Sequence, residues 1–406
     1  MAAERGAIPA SFWVFLASRF CSATAMTLLR ATVYWHVFEL SASTFQLGLI
    51  GLAQFVPALS LTLVGGAVAD AYDRRRIMRL AQLPLLASAA VLYLATERGV
   101  VSVPFLYAAV FANAVAFAFD SPARQALLPS LVPLEVFPRA VTLASTAMAL
   151  SFATGPAVAG LLIAELGPES AYAAYAVLIA LNAIGLGFVR VLRPPAERRA
   201  PSWQAVREGL AFVRRSPVVL GCMALDMFAV ILGGATALLP VYAKLLEVGP
   251  RGYGILTSAL EVGALAMSLL LVARRPIDRA GRALLGAVVV YGLATIVFGL
   301  SRSFPLSVAA YAVVGMADQV SVVLRQTAIQ LSTPDALRGR VSAVNMIFIA
   351  ASNQLGAVES GFLAAATSPT FAVVSGGVGC LAVVAWTAWR LPDLRRYRIE
   401  KSAEAV

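Results

Sequence analysis

Residues 45–96 read FQLGLIGLAQFVPALSLTLVGGAVADAYDRRRIMRLAQLPLLASAAVLYLAT: an apolar block over 45–69, a charged turn from Asp70 to Arg76, and a second apolar block over 77–96. A helix crossing a bilayer core needs about 20 mostly apolar residues, because lipid offers no partner for backbone N–H and C=O groups. Both blocks meet that length. The stretch therefore reads as two spanning helices joined by a short turn, with Asp70, Asp73, Arg74, Arg75 and Arg76 gathered where water can solvate them.

The same alternation runs through the chain. Apolar blocks occupy 12–38, 45–69, 77–96, 101–121, 140–164 and 171–191, then 218–242, 254–273, 283–301, 305–327, 341–365 and 369–390. They form two sets of six, separated by a polar segment holding Arg193, Pro194, Pro195, Arg198 and Arg199. Composition agrees, with 60% hydrophobic residues, 13% charged and a mean hydropathy of +0.82. A soluble domain carries about 25% charged residues, and this much apolar surface could not be hidden from water. A disordered chain is excluded on hydrophobicity. A β-barrel would show short alternating segments in place of continuous blocks.

The predicted fold is an all-α integral membrane protein of 12 spans. Its parts are an N-terminal six-helix bundle over 1–191, a cytoplasmic linker with an amphipathic helix over 192–217, a C-terminal six-helix bundle over 218–392, and a basic cytoplasmic tail over 393–406. The first block starts near Ser11 and is too long for a signal-peptide core. In the linker, Trp203, Val206, Leu210 and Val213 make an apolar stripe, with Arg207 and Arg214 on the polar side. That predicts a helix lying on the inner membrane face, or a plain linker helix.

Net charge is +11, from 32 Lys+Arg against 21 Asp+Glu. Basic cytoplasmic loops and nucleic-acid binding both explain such an excess, and position decides between them. With the N-terminus inside, the inner segments collect the arginines at 74–79, Arg124, Arg139, the linker set, those at 274–282, Arg325, Arg338, Arg340 and the tail. The outer loops hold only Arg98, Lys244, Arg251 and Arg302. This is the positive-inside pattern. It puts both termini in the cytoplasm and removes nucleic acid as a partner. Trp13, Trp35, Trp386 and Trp389 fall near block ends, as an interfacial belt places them. Cys21, Cys222 and Cys380 lie in separate blocks and His36 is the one histidine, so neither a metal site nor a disulfide framework is expected. His36, at the outer end of the first block, reads as an interfacial residue. No GxxxxGK(S/T) loop is present, which argues against ATP-driven transport by this chain.

The two halves repeat. At an offset of 201, Arg124-Gln125-Ala126 meets Arg325-Gln326-Thr327, Pro133 meets Pro334, Arg139 meets Arg340, Gly155 meets Gly356 and Gly160 meets Gly361. Asp73-Arg74 matches Asp278-Arg279 at 205, and Gly48 matches Gly254 at 206. Six-span half-repeats are a transporter architecture. Gly66-Ala-Val-Ala-Asp70-Ala71-Tyr72-Asp73-Arg74-Arg75-Arg76 resembles the signature loop of the major facilitator superfamily, G-x-x-x-D-(R/K)-x-G-R-(R/K). Gly66, Asp70, Arg74 and Arg75 fit, while Ala71 and Asp73 depart. The second-half copy keeps Asp278-Arg279-Ala280-Gly281-Arg282. Asp120-Ser-Pro-Ala-Arg124-Gln-Ala-Leu-Leu-Pro129 and Arg207-Glu208-Gly209-Leu210 are similar to the enterobactin-exporter-like branch of efflux permeases, a branch similar to siderophore, macrolide and multidrug exporters. Gly155-Pro156 and Gly160 resemble the Gly-Pro signature of the superfamily's proton antiporters, and a kinked helix with small packing residues explains them as well. The resemblance implies two six-helix bundles around a central cavity lined by spans 1, 4, 7 and 10, with 3, 6, 9 and 12 outside. It also implies that Asp70 and Arg74 latch the cytoplasmic side.

Ionisable residues within spans cost about 2.5–3.5 kcal/mol each and so need a reason. Arg19 and Arg30 sit in span 1, on one face with Met26. Asp226 sits in span 7, Glu261 in span 8, Asp318 in span 10 and Glu359 in span 11, while Asp120 is near the inner end of span 4. The first half thus contributes mainly arginines and the second half acids, which predicts an aqueous cavity with a cationic and an anionic wall. The stripes Asn345, Ser352, Gly356, Glu359 and Asp318, Ser321, Arg325 extend that wall. A carboxyl in a low-dielectric cavity can exchange protons near neutral pH. Glu261 and Asp318 come first, then Asp226 and Glu359. A buried structural ion pair, Arg19 or Arg30 with one acid, is the alternative for any one residue.

The expected function is secondary active transport: proton-coupled export of small amphipathic molecules such as drugs or siderophores by alternating access. It would be run by a monomer in the cell membrane, with no cofactor and the proton gradient as energy source. An importer, or a non-transporting receptor or assembly protein, is the alternative on the same fold. One histidine and no metal cluster argue against an enzyme.

Overall fold

The computed structural model describes residues 8–189, 191, 203–273 and 277–399, less the side chains at 62, 63, 67, 69–71, 134 and 203–206. Among these residues the chain is helical, with no strand. The first six helices are α1 (Ala10–Ser41), α2 (Thr44–Ala71), α3 (Arg74–Glu97), α4 (Val103–Leu127), α5 (Phe137–Leu166) and α6 (Pro168–Phe188). The linker helix is α7 (Trp203–Arg215). Then come α8 (Pro217–Gly233), α9 (Leu239–Leu245), α10 (Gly249–Ala273), α11 (Ala280–Leu300), α12 (Phe304–Leu331), α13 (Asp335–Ala366), α14 (Pro369–Arg390) and the short α15 (Pro392–Arg396). Twelve segments among the described residues are long and apolar enough to cross a membrane, with α8, a 3-10 turn at Ala235–Leu238 and α9 forming one interrupted span.

Local chemistry sets the ends. Asp73 caps α3 by accepting from Arg75 N at 2.8 Å, and Ser368 caps α14 by accepting from Phe371 N at 3.1 Å. Proline opens α4, α5, α6, α8, α12 and α14, where a missing N–H costs nothing. The helices outrun the apolar blocks. α4 continues to Leu127, so Arg124 is helical and buried rather than in a cytoplasmic loop; Arg325, on α12, is corrected in the same way.

Contacts divide the chain into two compact units. Unit 1 comprises Met1–Ala42, Ala53–Pro201 and Gly249–Ser258; unit 2 comprises Ser43–Leu52, Ser202–Val248 and Ala259–Val406. The division follows the six-plus-six boundary except at two helix ends. In unit 1, α1 packs on α5 and α6, and α3 on α4 and α6. The first turns of α10 join them, because a Cβ on Gly160 would lie 2.6 Å from Gly254 Cα. In unit 2, α8 packs on α13 and α14, and α11 on α12 and α14. The first turns of α2 join these: Phe45 stacks on Phe362 at 4.6 Å, and a Cβ on Gly361 would lie 2.5 Å from Gly48 Cα. The glycines matched by the internal repeat are thus the ones that meet.

Several residues sit elsewhere than expected. Trp13, Trp386 and Trp389 are exposed as belt residues should be, but Trp35 is half-buried with its ring 5.5 Å from Tyr253. His36 is buried rather than interfacial, with Nδ1 3.1 Å from the Tyr172 hydroxyl. The linker at 192–202, with Arg193, Arg198 and Arg199, lies outside the described residues, as do the side chains of Trp203 and Val206. On α7, Val213 is 1% exposed and Leu210 packs beside it in the unit 2 core. That helix is therefore docked on protein, through a Glu208–Arg340 ion pair and the approach of the Arg340 carbonyl to Gly209, 2.8 Å from where a Cβ would stand. The tail is docked too. Leu394 is fully buried, Gly281 N donates to Tyr397 O at 3.1 Å and Ile399 N to Asp278 O at 3.0 Å. Residues 400–406 lie outside the described residues.

Candidate functional site

α1 is buried over most of its length. Arg19, Met26 and Arg30 fall within about a 40° arc at 3.6 residues per turn, and they break that pattern. Arg19 and Met26 are half-buried and Arg30 is exposed, whereas Phe12, Phe15 and Val37 near the same stripe are 0% exposed. The opening is confined to the middle turns. Arg19 Nη2 donates to Met148 Sδ on α5 at 3.2 Å. Neither arginine pairs with an acid among the described residues. Gly155 lets α5 reach α1, a Cβ there standing 2.9 Å from Thr24 O. Pro156 removes one helical N–H. The carbonyls on either side of Phe152, whose own carbonyl loses its helical donor to Pro156, accept side chains: Thr27 Oγ1 donates to Ser151 O at 3.1 Å and Ser258 Oγ to Ala153 O at 2.8 Å. Close packing of α5 on α1 gives Gly155 a structural role.

Asp120 and Arg124 form the heart of a closed ring in unit 1. Arg124 donates Nε to Asp120 Oδ2 at 3.0 Å and Nη2 to Oδ1 at 3.1 Å. Arg124 Nη1 also donates to Asn182 Oδ1 at 3.4 Å. Asn182 Nδ2 donates to Gln82 Oε1 at 2.7 Å, and Gln82 Nε2 returns to Asp120 Oδ1 at 3.1 Å. All four side chains are buried. Each has its partners, so the charge is matched and the network is rigid. Gln82 and Asn182 carried no signal in sequence, because nothing local links α3 and α6.

In unit 2 Asp226 forms an ion pair with Arg325, both buried. The structural-pair alternative thus applies to Asp226, with Arg325 as its partner and neither Arg19 nor Arg30. Asn345, Ser352 and Gly356 are buried, and Gly356 packs on the α8 backbone with a Cβ position 2.6 Å from Val230 O. This stripe faces protein, not an open wall. Glu261 and Asp318 are half-buried, and Asp318 lies within electrostatic range of Glu261. Glycines bring their helices together: a Cβ on Gly263 would sit 2.8 Å from the Ala312 carbonyl carbon, and one on Gly315 2.7 Å from that of Leu260.

The span containing α8 breaks at Gly233-Gly234, a feature missed in sequence although two adjacent glycines signal it. Its freed carbonyls are claimed by side chains, Tyr291 OH donating to Gly233 O at 3.2 Å and Ser360 Oγ to Gly234 O at 3.0 Å. Ser360 Oγ also lies 3.3 Å from Glu359 Oε2, which joins that half-buried acid to the break. Such breaks persist in membranes only where side chains satisfy the backbone.

In the signature loop Gly66 lies on α2 and the Asp70 side chain is outside the described residues. Arg74 is buried and donates Nη1 to Ala126 O at the end of α4, at 3.2 Å. Arg79 donates to Leu186 O and Gly187 O at the end of α6, at 3.3 and 3.2 Å. Both cations meet the negative ends of helix dipoles. Arg75 pairs with Asp73 at 3.6 Å. Asp278, Arg279 and Arg282 are exposed. No group of three or more His, Cys, Asp or Glu among the described residues is arranged to hold a metal ion.

Twelve apolar helices in two repeated halves, a signature loop built into helix ends and mid-span charges define a multi-pass membrane transporter. The chain belongs to the major facilitator superfamily, within the family described as transmembrane secretion effector, whose pattern matches residues 7–404. It is 28% identical over 398 residues to the enterobactin exporter EntS of Shigella boydii serotype 18, covering 96% of this chain and 94% of that protein. It is 27% identical over 394 residues to EntS of Escherichia coli O1:K1, with the same coverage. Among solved structures it is similar in fold to a POT family transporter bound to 5-aminolevulinic acid, with a TM-score of 0.75 at 11% identity, covering 96% and 98% of the two chains. It is also similar to a bacterial homolog of the lysosomal transporter Spinster, with a TM-score of 0.70 at 15% identity, covering 96% and 97%. The chain has the major facilitator fold, moves small molecules and is not an enzyme.

Proposed function

We propose that the chain is a proton-coupled exporter of small amphipathic molecules, with siderophores or drugs as the substrate class. It works by alternating access as a monomer in the inner membrane, with both termini cytoplasmic and the proton gradient as its energy source. The observation that carries this reading is the Glu261–Asp318 pair. Two mid-span carboxyls are held in electrostatic range where α10 and α12 cross on glycines. Two half-buried carboxylates within electrostatic range of each other oppose each other's ionisation, and on this reading the pair takes up and releases a proton as a unit. The proton then changes the balance between two states of the protein. Similarity to enterobactin exporters supports export as the direction.

The test uses inverted vesicles containing the full chain, with enterobactin accumulation measured under an imposed pH gradient. Wild type accumulates substrate and a protonophore abolishes it. Glu261→Gln and Asp318→Asn each lose gradient-driven accumulation by about tenfold or more, within the usual range of coupling energies, while downhill exchange persists. Undiminished gradient dependence in both variants refutes the assignment.

A further inference from the structure

Two buried arginines toward the ends of spanning helices have partner acids. Arg124 is neutralised by Asp120, and Arg325 by Asp226. Arg19 and Arg30 are treated differently. Arg124, another cation and one already matched by Asp120, lies within electrostatic range of Arg19. The Arg19 Nε is buried with no hydrogen-bond partner among the described residues, and its Nη2 donates to a thioether, a weak acceptor. Arg30 is exposed on the same stripe and pairs with no carboxylate among the described residues. The other described acids of unit 1 (Glu39, Asp73, Glu97, Glu135, Glu165 and Glu169) all lie at or beyond helix ends. Two cations thus stand in the middle turns of α1 with no carboxylate partner among the described residues, and Met26 and Met148 add soft apolar surface there. A charge in a spanning segment is costly and marks a partner or a pathway.

Resting on the transporter reading, we infer that the cargo is an organic anion whose acidic group is seated by Arg19 and Arg30 and whose apolar body lies against Met26 and Met148. The thioethers adapt to bodies of varied shape. The arginines fix the sign of the cargo rather than its outline.

The test measures thermal unfolding of the purified full chain in neutral detergent with 2-naphthoate, its neutral amide 2-naphthamide, or sulfate. Naphthoate is expected to raise the unfolding midpoint, and the other two are not. Without ligand, Arg19→Met is expected to unfold at the wild-type temperature or above, since it removes an unmatched charge. Its apparent affinity for naphthoate falls by about tenfold or more. Arg30→Gln weakens the response, Arg19→Lys keeps part of it and Arg302→Gln leaves it unchanged. No response of the wild type to naphthoate, an equal response to naphthamide, or a lower midpoint for ligand-free Arg19→Met overturns the inference. Equal stabilisation by sulfate reduces the site to an adventitious ion only and overturns it too. Gradient dependence that is absent from the wild type, or undiminished in both Glu261→Gln and Asp318→Asn, with the naphthoate response intact counts against the proposed function alone. Gradient-driven export undiminished by Arg19→Met counts against the anion site alone.

Discussion

Arg124 and Arg325 stand 201 residues apart at matched positions, and each is neutralised by a different route. Arg124 takes its acid from the preceding turn of its own helix; Arg325 takes Asp226 from α8. Removing one partner of a buried pair leaves an uncompensated charge, worth about 3–5 kcal/mol. Asp120→Ala and Asp226→Ala should each lower stability by that order in detergent unfolding experiments. Asn182→Ala, which leaves Gln82 Oε1 without a donor, should cost about 1–3 kcal/mol. An Asp120→Ala protein as stable as wild type would show that the ring does not hold unit 1. The i, i+4 spacing of Asp120 and Arg124 stands in the sequence, but an apolar block that ends at 121 leaves Arg124 in a cytoplasmic segment and hides the pair. The Asp226–Arg325 pair leaves no local signal at all, since its members are nearly a hundred residues apart on different helices.

At the scale of elements, the twelve spans were readable because the bilayer demands a length and a composition. Which face of each helix meets protein was not, because lipid tails are as apolar as leucine and leave no amphipathic signal. This is why the sequence does not separate the buried His36 and half-buried Trp35 from interfacial residues, nor the packed Asn345–Ser352–Gly356 stripe from an open wall. The linker helix is the instructive contrast. One side of it meets water, so its stripe was visible, although the sequence could not say that α13 covers it. The break at Gly233-Gly234 makes a prediction at this scale. Tyr291→Phe and Ser360→Ala each orphan a carbonyl and should destabilise by about 1–3 kcal/mol, read as unfolding midpoints, with no effect on Asp120 variants made in parallel. Gly315→Val should be costlier than Gly286→Val. The neighbour of the first is helix backbone, which cannot yield, while nothing lies within 4 Å of a Cβ on the second.

For the whole molecule, charge placement predicts topology. A cysteine at Arg302 should react with a membrane-impermeant maleimide from outside intact cells, and one at Arg207 only after permeabilisation. The reverse pattern overturns the orientation. Cys222 and Cys380 are buried and should stay unlabelled without denaturant. The tail predicts a further result. Ending the chain after Arg390 strips the cover from Gly281 and the socket of Leu394, and should lower the unfolding midpoint of the remainder.

The exchanged helix ends bear on how the chain is made. Gly48 leaves the ribosome early, yet the residue it packs on, Gly361, follows about 300 residues later, a wait on the order of tens of seconds at typical synthesis rates. Gly160 waits for Gly254 in the same way. Neither half can close its packing while it is the only half in the membrane, so each nascent bundle holds an unfilled glycine seat until its sibling arrives. The Gly160 seat fills first and the Gly48 seat last, so maturation is completed only on translation of the last third of the message, and a pause in that region would leave a long-lived, half-seated intermediate in the bilayer.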